Sequence, residues 1–302
     1  MVLLLGMKSQ KQYRRPAPLS MPFLETEMNS DFNCADFAFL DSGTGGIPYM
    51  LALKKKQPLA RCVYLGDTAH FPYGEKSVEE ITDCAAKAVS LIIKNWNPKT
   101  LIIACNTISV TALDRLRSIF PKLPIVGTVP AIKLAAKVTK NKKIGFLATN
   151  ASVNSLYSKK LIEDFAGDCH IFSRGDPKLV DFIERDFFTA TYEQKKACVK
   201  PAVDYFKSCG CDVIILGCTH FTHIAEIMQD VAGEDIKVID SREGVSNQAI
   251  RIESADGHKK TAALEKPFRD LSFFVTEASP SEEKEYRLLC ERLNIPWGGI
   301  SL

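Results

Sequence analysis

From Phe37 onward, short apolar runs alternate with longer amphipathic stretches. The runs Phe37–Leu40, Cys62–Leu65, Leu101–Ala104, Ile125–Val126, Ile144–Leu147, Val213–Leu216 and Lys237–Ile239 are too short for buried helices. Their β-branched and aromatic content predicts strands covered on both faces. Between them, Val78–Asn95, Ser109–Phe120, Ala131–Thr139, Ser155–Phe165 and Ala197–Ser208 carry the helical period. Such alternation predicts parallel sheets flanked by helices. Ser272–Thr276 adds one further strand, followed by a helix over Ser281–Leu293.

The pattern also repeats. Phe39-Leu40-Asp41-Ser42-Gly43 is echoed by Phe146-Leu147-Ala148-Thr149-Asn150, and Ile103-Ala104-Cys105-Asn106-Thr107 by Leu216-Gly217-Cys218-Thr219-His220. The offsets, 147−40=107 and 218−105=113, nearly agree. This predicts an α/β fold of two similar doubly wound parallel-sheet domains, related by a pseudo-twofold axis, with the active site in the cleft between them. The first domain is expected to take residues 35–130 plus 241–302, and the second residues 131–240. The first crossing falls near Pro130 and the return near Asp240-Ser241. Residues 1–34 lack apolar periodicity, contain Lys8, Lys11, Arg14, Arg15 and three prolines, and read as a disordered extension.

Composition narrows the class. A chain of 302 residues, 46% hydrophobic, can bury a large core, so disordered and fibrous classes are excluded. Its 39 basic and 36 acidic residues leave a net charge of +3, with no basic block longer than Lys54-Lys55-Lys56. A dedicated nucleic-acid surface is therefore not expected, and the lysine run reads as the solvated end of a helix. Ten cysteines are scattered without framework spacing, which suits free thiols in a reducing compartment. The apolar opening Met1 to Gly6 is too short for a signal sequence or a membrane span. A cytoplasmic protein without membrane partners is expected.

The chemistry concentrates in two thiols. Cys105 and Cys218 each close an apolar run and are followed at once by small polar residues, Asn106-Thr107 and Thr219-His220. The carboxyl end of a buried parallel strand is where open α/β sheets place their ligands. Two thiols facing one pocket suit a reaction in which a proton leaves one face of a carbon and returns to the other. Asp41-Ser42-Gly43-Thr44-Gly45-Gly46 follows a strand and opens a helix, so it could hold an anion, or Asp41 could simply cap that helix. It fits neither the Walker A nor the dinucleotide-binding pattern. Pro72-Tyr73-Gly74 offers a rigid turn whose backbone faces a ligand, with a plain β-turn as the bland alternative. His70 alone suits a surface or capping role. Cys218, His220 and His223 have spacing open to zinc, but a strand-end Cys with an adjacent His equally suits thiol activation, and no fourth ligand is obvious.

Six segments carry a resemblance to a known family. Asp-Ser-Gly-x-Gly-Gly (41–46), Gly-Asp-Thr-Ala-x-x-Pro-Tyr-Gly (66–74), Ala-Cys-Asn-Thr (104–107), Val-Gly-Thr-Val-Pro-Ala (126–131), Ala-Thr-x-x-x-Val-x-Ser-x-Tyr (148–157) and Leu-Gly-Cys-Thr-His (216–220) resemble glutamate racemase. They occur in that family's order and span roughly 35–245.

The resemblance implies a cofactor-independent, metal-free two-base racemase acting on glutamate and supplying D-glutamate for peptidoglycan precursors. It implies that Cys105 takes the α-proton of D-glutamate and Cys218 that of L-glutamate, with Asp41 assisting Cys105 and His220 assisting Cys218. It further implies that Ser42, Pro72, Tyr73, Gly74, Asn106, Thr107, Thr149, Ser152 and Thr219 hold the substrate, and that Glu184 stands near the substrate amine. Four features depart from the family: Ser152 replaces a frequent Thr, Tyr157 comes one residue earlier after Ser155 than is usual, the segment 173–184 lacks the usual Cys-Pro, and Phe221-Thr222-His223 stands where Tyr-Pro often follows. Aspartate racemase is the alternative enzyme, and a catalytically silent binding protein using the same cleft is the alternative class. A homodimer stays open.

Overall fold

The computed structural model describes residues 34–255 and 271–301. The expected extension, residues 1–34, lies outside these apart from Cys34, whose thiol donates to the Asn97 carbonyl at 3.4 Å.

The strands are β1 (Phe37–Asp41), β2 (Cys62–Gly66), β3 (Thr100–Ile103), β4 (Ile125–Gly127), β5 (Lys143–Ala148), β6 (His170–Gly175), β7 (Val213–Leu216), β8 (Lys237–Ile239), β9 (Leu271–Val275) and β10 (Trp297–Ile300). The helices are α1 (Ile47–Lys56), α2 (Val78–Trp96), α3 (Asn106–Ile119), α4 (Ile132–Val138), α5 (Asn150–Asn154), α6 (Leu156–Ala166), α7 (Pro177–Arg185), α8 (Tyr192–Ser208), α9 (Ala225–Ala232), α10 (Arg242–Ala255) and α11 (Pro280–Leu293). One sheet has the order β10-β9-β2-β1-β3-β4 and the other β6-β5-β7-β8. Among the described residues every pairing is parallel.

The echo in the sequence is an echo in topology. The order β2-β1-β3-β4 is repeated strand for strand as β6-β5-β7-β8. In each sheet the first strand lies between the second and third, so successive crossovers leave it in opposite directions and open a crevice at its carboxyl end. Asp41 and Cys105 stand at that end of β1 and β3. Thr149 and Cys218 stand at the matching end of β5 and β7.

Alternate side chains feed opposite faces of each sheet, because successive residues of a strand point to opposite sides. Ala38, Leu40, Val63, Leu65, Leu101 and Ile103 pack in one core under α2 and α3. Phe37, Phe39, Tyr64 and Ile102 pack in the other with Met50, Val245 and Leu289 of α1, α10 and α11. The second sheet divides likewise, with Leu147, Ile214 and Leu216 on one face and Ile144, Phe146 and Ile215 on the other. Helices are nucleated by local signals: Ser77, Thr191 and Ser279 form capping boxes with Glu80, Gln194 and Glu282, each contributing about 1 kcal/mol. Lys54, Lys55 and Lys56 end α1, where positive charge meets the negative end of the helix dipole.

Two strands were not expected from the pattern, β6 and β10. Both are edge strands, and both are only partly buried. An edge strand needs no continuous apolar run, so His170-Ile171-Phe172-Ser173-Arg174-Gly175 and Trp297-Gly298-Gly299-Ile300 escape a pattern that finds buried strands.

Candidate active site

At the end of β1 the chain turns through Asp41–Gly46 before α1 begins. Asp41 does not cap that helix: the cap is Gly46, with no side-chain hydrogen bond. Instead its carboxylate accepts from the Ser42 N–H at 2.8 Å, the Tyr64 hydroxyl at 3.3 Å and the Thr219 hydroxyl at 3.2 Å. The last of these joins the first sheet's loop to the second sheet's thiol turn. Cys105, at the amino end of α3, is acted on by the charge of the same carboxylate. Both groups are almost fully buried. Burial pushes the Asp41 pKa up, outweighing the opposing pull of His220, Cys105 and Ser42. Burial and then the Asp41 charge push the Cys105 thiol well above its ordinary value.

The second thiol has a different neighbour. Cys218 Sγ lies 3.6 Å from His220 Nδ1, and His220 Nε2 lies 2.9 Å from Glu184 Oε2. Glu184 projects from α7 across to the first sheet's loop, where it accepts from the Thr44 N–H at 3.0 Å and the Thr44 hydroxyl at 2.8 Å. Burial alone would lower the His220 pKa, but its hydrogen bonds to Cys218 and Glu184 raise it well above the ordinary value. Burial would raise Glu184, yet the bond and charge of His220, with the Thr44 donors, hold it below the usual range.

The approach is close enough to require glycine. A Cβ on Gly43 would stand 2.5 Å from Glu184 Oε1, and one on Gly45 would stand 2.6 Å from His220 Nδ1. Both are well inside contact distance.

The residues expected to hold substrate cluster at the same strand ends. Thr107 and Thr149, from the two sheets, meet hydroxyl to hydroxyl at 3.1 Å, and Thr149 donates to Ser152 Oγ at 3.0 Å. Gly74 lies against Thr149. Asn106 is 2% exposed, and its amide nitrogen and oxygen have no hydrogen-bond partner among the described residues. An orphaned buried amide beside Cys105 is a donor and an acceptor set for a ligand.

Two expected contacts are used otherwise. Glu184, expected near a substrate amine, has its carboxylate engaged by His220 and Thr44. Tyr73, expected among the binding residues, is fully buried after a cis Phe71–Pro72 bond and donates its hydroxyl to Asp67, which also accepts from His70 and Thr276. The cysteine and histidines open to a zinc reading do not converge: His220 turns its nitrogens to Cys218 and Glu184, while His223 turns Nε2 to the Thr44 carbonyl.

Tyr64 and Thr44 were missed by sequence reasoning. Tyr64 sits in an apolar strand and reads as core, although a single phenol near a strand's carboxyl end was a signal. Thr44 occupies the variable position of the Asp-Ser-Gly-x-Gly-Gly segment. Its side chain matters only because Glu184 arrives from 140 residues away.

The chain that carries this arrangement has known relatives. A family model described as Asp/Glu/Hydantoin racemase matches residues 51–246. The chain is 38% identical to the glutamate racemase of Treponema pallidum over 216 residues, 72% of this chain and 80% of that protein. Its fold is similar to that of Escherichia coli glutamate racemase in complex with L-glutamate and the activator UDP-MurNAc-ala, with a TM-score of 0.73 at 27% identity, covering 88% of this chain and 97% of that one. It is also similar to Francisella tularensis glutamate racemase in complex with D-glutamate, with a TM-score of 0.71 at 25% identity, covering 90% and 98%. The matched segment runs from α1 into α10 and contains both thiol turns, and this chain belongs to the Asp/Glu/Hydantoin racemase family.

Proposed function

We propose that this enzyme interconverts L-glutamate and D-glutamate with two thiols and no cofactor. The observation that carries this reading is the pair of buried cysteines at equivalent strand ends, each with its own ionisable neighbour. In the L-to-D direction Cys218, as thiolate, takes the α-proton, and the electron pair of the C–H bond passes into the substrate carboxylate as an enediolate. Cys105 gives its thiol proton to the opposite face of Cα. One proton is removed and one is delivered, leaving Cys218 as thiol and Cys105 as thiolate. The reverse direction exchanges the roles.

The raised pKa of Cys105 suits a thiol that waits with its proton in place. A positively charged His220 suits a neighbouring thiolate. Asp41 assists Cys105, His220 assists Cys218, and Glu184 is a positioning residue that fixes the imidazole. Negative charge grows on the substrate carboxylate during proton abstraction, and fixed donors from Asn106, Thr107 and Thr219 stabilise it. Such donors are each worth about 3 kcal/mol in comparable sites. Ser42, Pro72, Gly74, Thr149 and Ser152 complete the substrate walls.

In this reading residues 35–130 with 241–302 form one domain, and residues 131–240 the other. D-glutamate would feed peptidoglycan precursor synthesis in the cytoplasm. Among the described residues, no helix is long and apolar enough to cross a membrane.

Dialysed protein incubated with L-glutamate in D₂O should yield D-glutamate carrying deuterium at Cα. Turnover of aspartate but not glutamate would replace the substrate with aspartate. Turnover of neither would leave a silent binding protein, and activity only after addition of pyridoxal phosphate or a metal would overturn the cofactor-free route.

A further inference from the structure

His223 has no part in the mechanism above, yet it is built into the same network. It lies three residues beyond His220 in a 3-10 turn, His220–Ile224. Side chains three apart eclipse in such a turn, so both rings face the loop after β1. His220 packs on Gly45, while His223 Nε2 stands 3.1 Å from the Thr44 carbonyl. A carbonyl only accepts, so that ring nitrogen carries the hydrogen.

Thr44 is thereby held from both sides. Its carbonyl accepts from His223, and its N–H and hydroxyl donate to the Glu184 oxygens that meet His220. The Thr44 carbonyl from the loop meets the ring, and the charged groups that act on it are His220 in the same turn, Glu184 from α7 and Arg242 from α10. Burial, assisted by the charges of His220 and Arg242, lowers the His223 pKa to about 4, so the ring is a neutral donor at physiological pH. Phe187 and Phe188, just past α7, wall the ring at centroid distances of 6.2 and 5.3 Å. Packing alone would be met by another aromatic ring. The Thr44 hydrogen bond would not.

We infer that His223 is a positioning residue whose bond to the Thr44 carbonyl keeps the Glu184 carboxylate seated on His220, beside Cys218. Its catalytic consequence rests on the racemase reading; its geometric consequence does not.

The test compares His223→Phe and His223→Asn, which remove the donor or leave it short of Thr44, with His223→Gln, whose amide reaches the Nε2 position. The chain has five histidines, so ring ¹⁵N resonances can be assigned by substitution. In wild type His220 should titrate above its ordinary value. In whichever of the Phe and Asn variants stays folded, that titration should fall by about one pH unit, and the Gln variant should restore it. In the racemase assay the same two variants should lose about tenfold in kcat with little change in KM. Their deuterium isotope effect should change from L-glutamate alone, where Cys218 abstracts. A His220 titration unchanged in the Phe and Asn variants, or a Gln variant as impaired as they are, overturns the inference. Wild-type protein that fails to racemise glutamate overturns the racemase reading, and the titration still decides the role of His223.

Discussion

Cys105 and Cys218 leave the carboxyl ends of β3 and β7, equivalent strands of two sheets with one strand order, yet one faces a carboxylate and the other an imidazole. Position by position, the echo shows how. Asp41, at the end of β1, corresponds to Ala148 at the end of β5. Thr107, two residues past Cys105, corresponds to His220, two residues past Cys218. Each copy thus brings one ionisable group to its thiol, but from a different strand end. The copies were given complementary tendencies: a buried thiol held in its protonated form, and a thiol beside an imidazole held in its charged form. A racemase needs both at once, because one face of Cα must lose a proton while the other stands ready to supply one.

If the two thiols act singly, Cys105→Ser and Cys218→Ser should each cost at least about a thousandfold in racemisation, since a hydroxyl is a far weaker base than a thiolate. The sharper readout is one-sided exchange. Cys105→Ser should still wash the α-hydrogen of L-glutamate into D₂O without forming D-glutamate, and Cys218→Ser should do so only with D-glutamate. Exchange from the wrong enantiomer would reverse the assignment of faces.

Next in size are the assistants. His220→Asn and Asp41→Asn should each slow turnover by about a hundredfold. The equilibrium constant between enantiomers is fixed near one, so the asymmetry will show in isotope effects rather than in the ratio of kcat/KM values. His220→Asn should raise the effect measured from L-glutamate, and Asp41→Asn that from D-glutamate. Equal responses would dissolve the separate pairing while leaving the two thiols in place.

Glu184→Gln should cost about tenfold in rate and about 1–3 kcal/mol in stability, because it leaves a buried imidazolium without its counter-charge. Glu184 has a folded pKa below its ordinary 4.5, so its contribution is present above that pH and is lost as pH falls through the lower value. His220 has a folded pKa above its ordinary 6.5, so its contribution is complete below that pH and fades as pH rises through the higher value. The Tm gap between wild type and Glu184→Gln should therefore be widest between pH 4.5 and 6.5 and should narrow as pH rises through the raised His220 value. A gap independent of pH would mean the pair is not ionised.

In stability, as distinct from the rate lost with a substrate donor, the smallest effect is expected at the other crossing between the sheets. Thr107→Val keeps the shape but removes the hydroxyl contact to Thr149, and should cost about 1 kcal/mol with little change in Tm profile against pH.

The central strands and the thiols were legible because their signals are local. Val213-Ile214-Ile215-Leu216 cannot be solvated on either face, so it must be an inner strand, and the residue that follows must emerge at the sheet's edge. The same reasoning found β1, β2, β3 and β5 to within a residue or two of their observed ends. It failed for β6 and β10, where edge positions relax the demand for apolar residues. The place of Glu184 near a substrate amine came from the resemblance instead, and its carboxylate meets His220 and Thr44.

What the sequence by itself determined is the set of inner strands, their duplicated order of residue types, and the two cysteines at matching strand ends. These follow from solvation and backbone periodicity, which act over a few residues. Tertiary structure alone decided which partner each polar group would take. Glu184 meets Thr44 across 140 residues and Thr219 meets Asp41 across 178, with Gly43 and Gly45 leaving room for the approach. A carboxylate's partner depends on which groups are desolvated beside it, and that is settled only when two sheets pack face to loop.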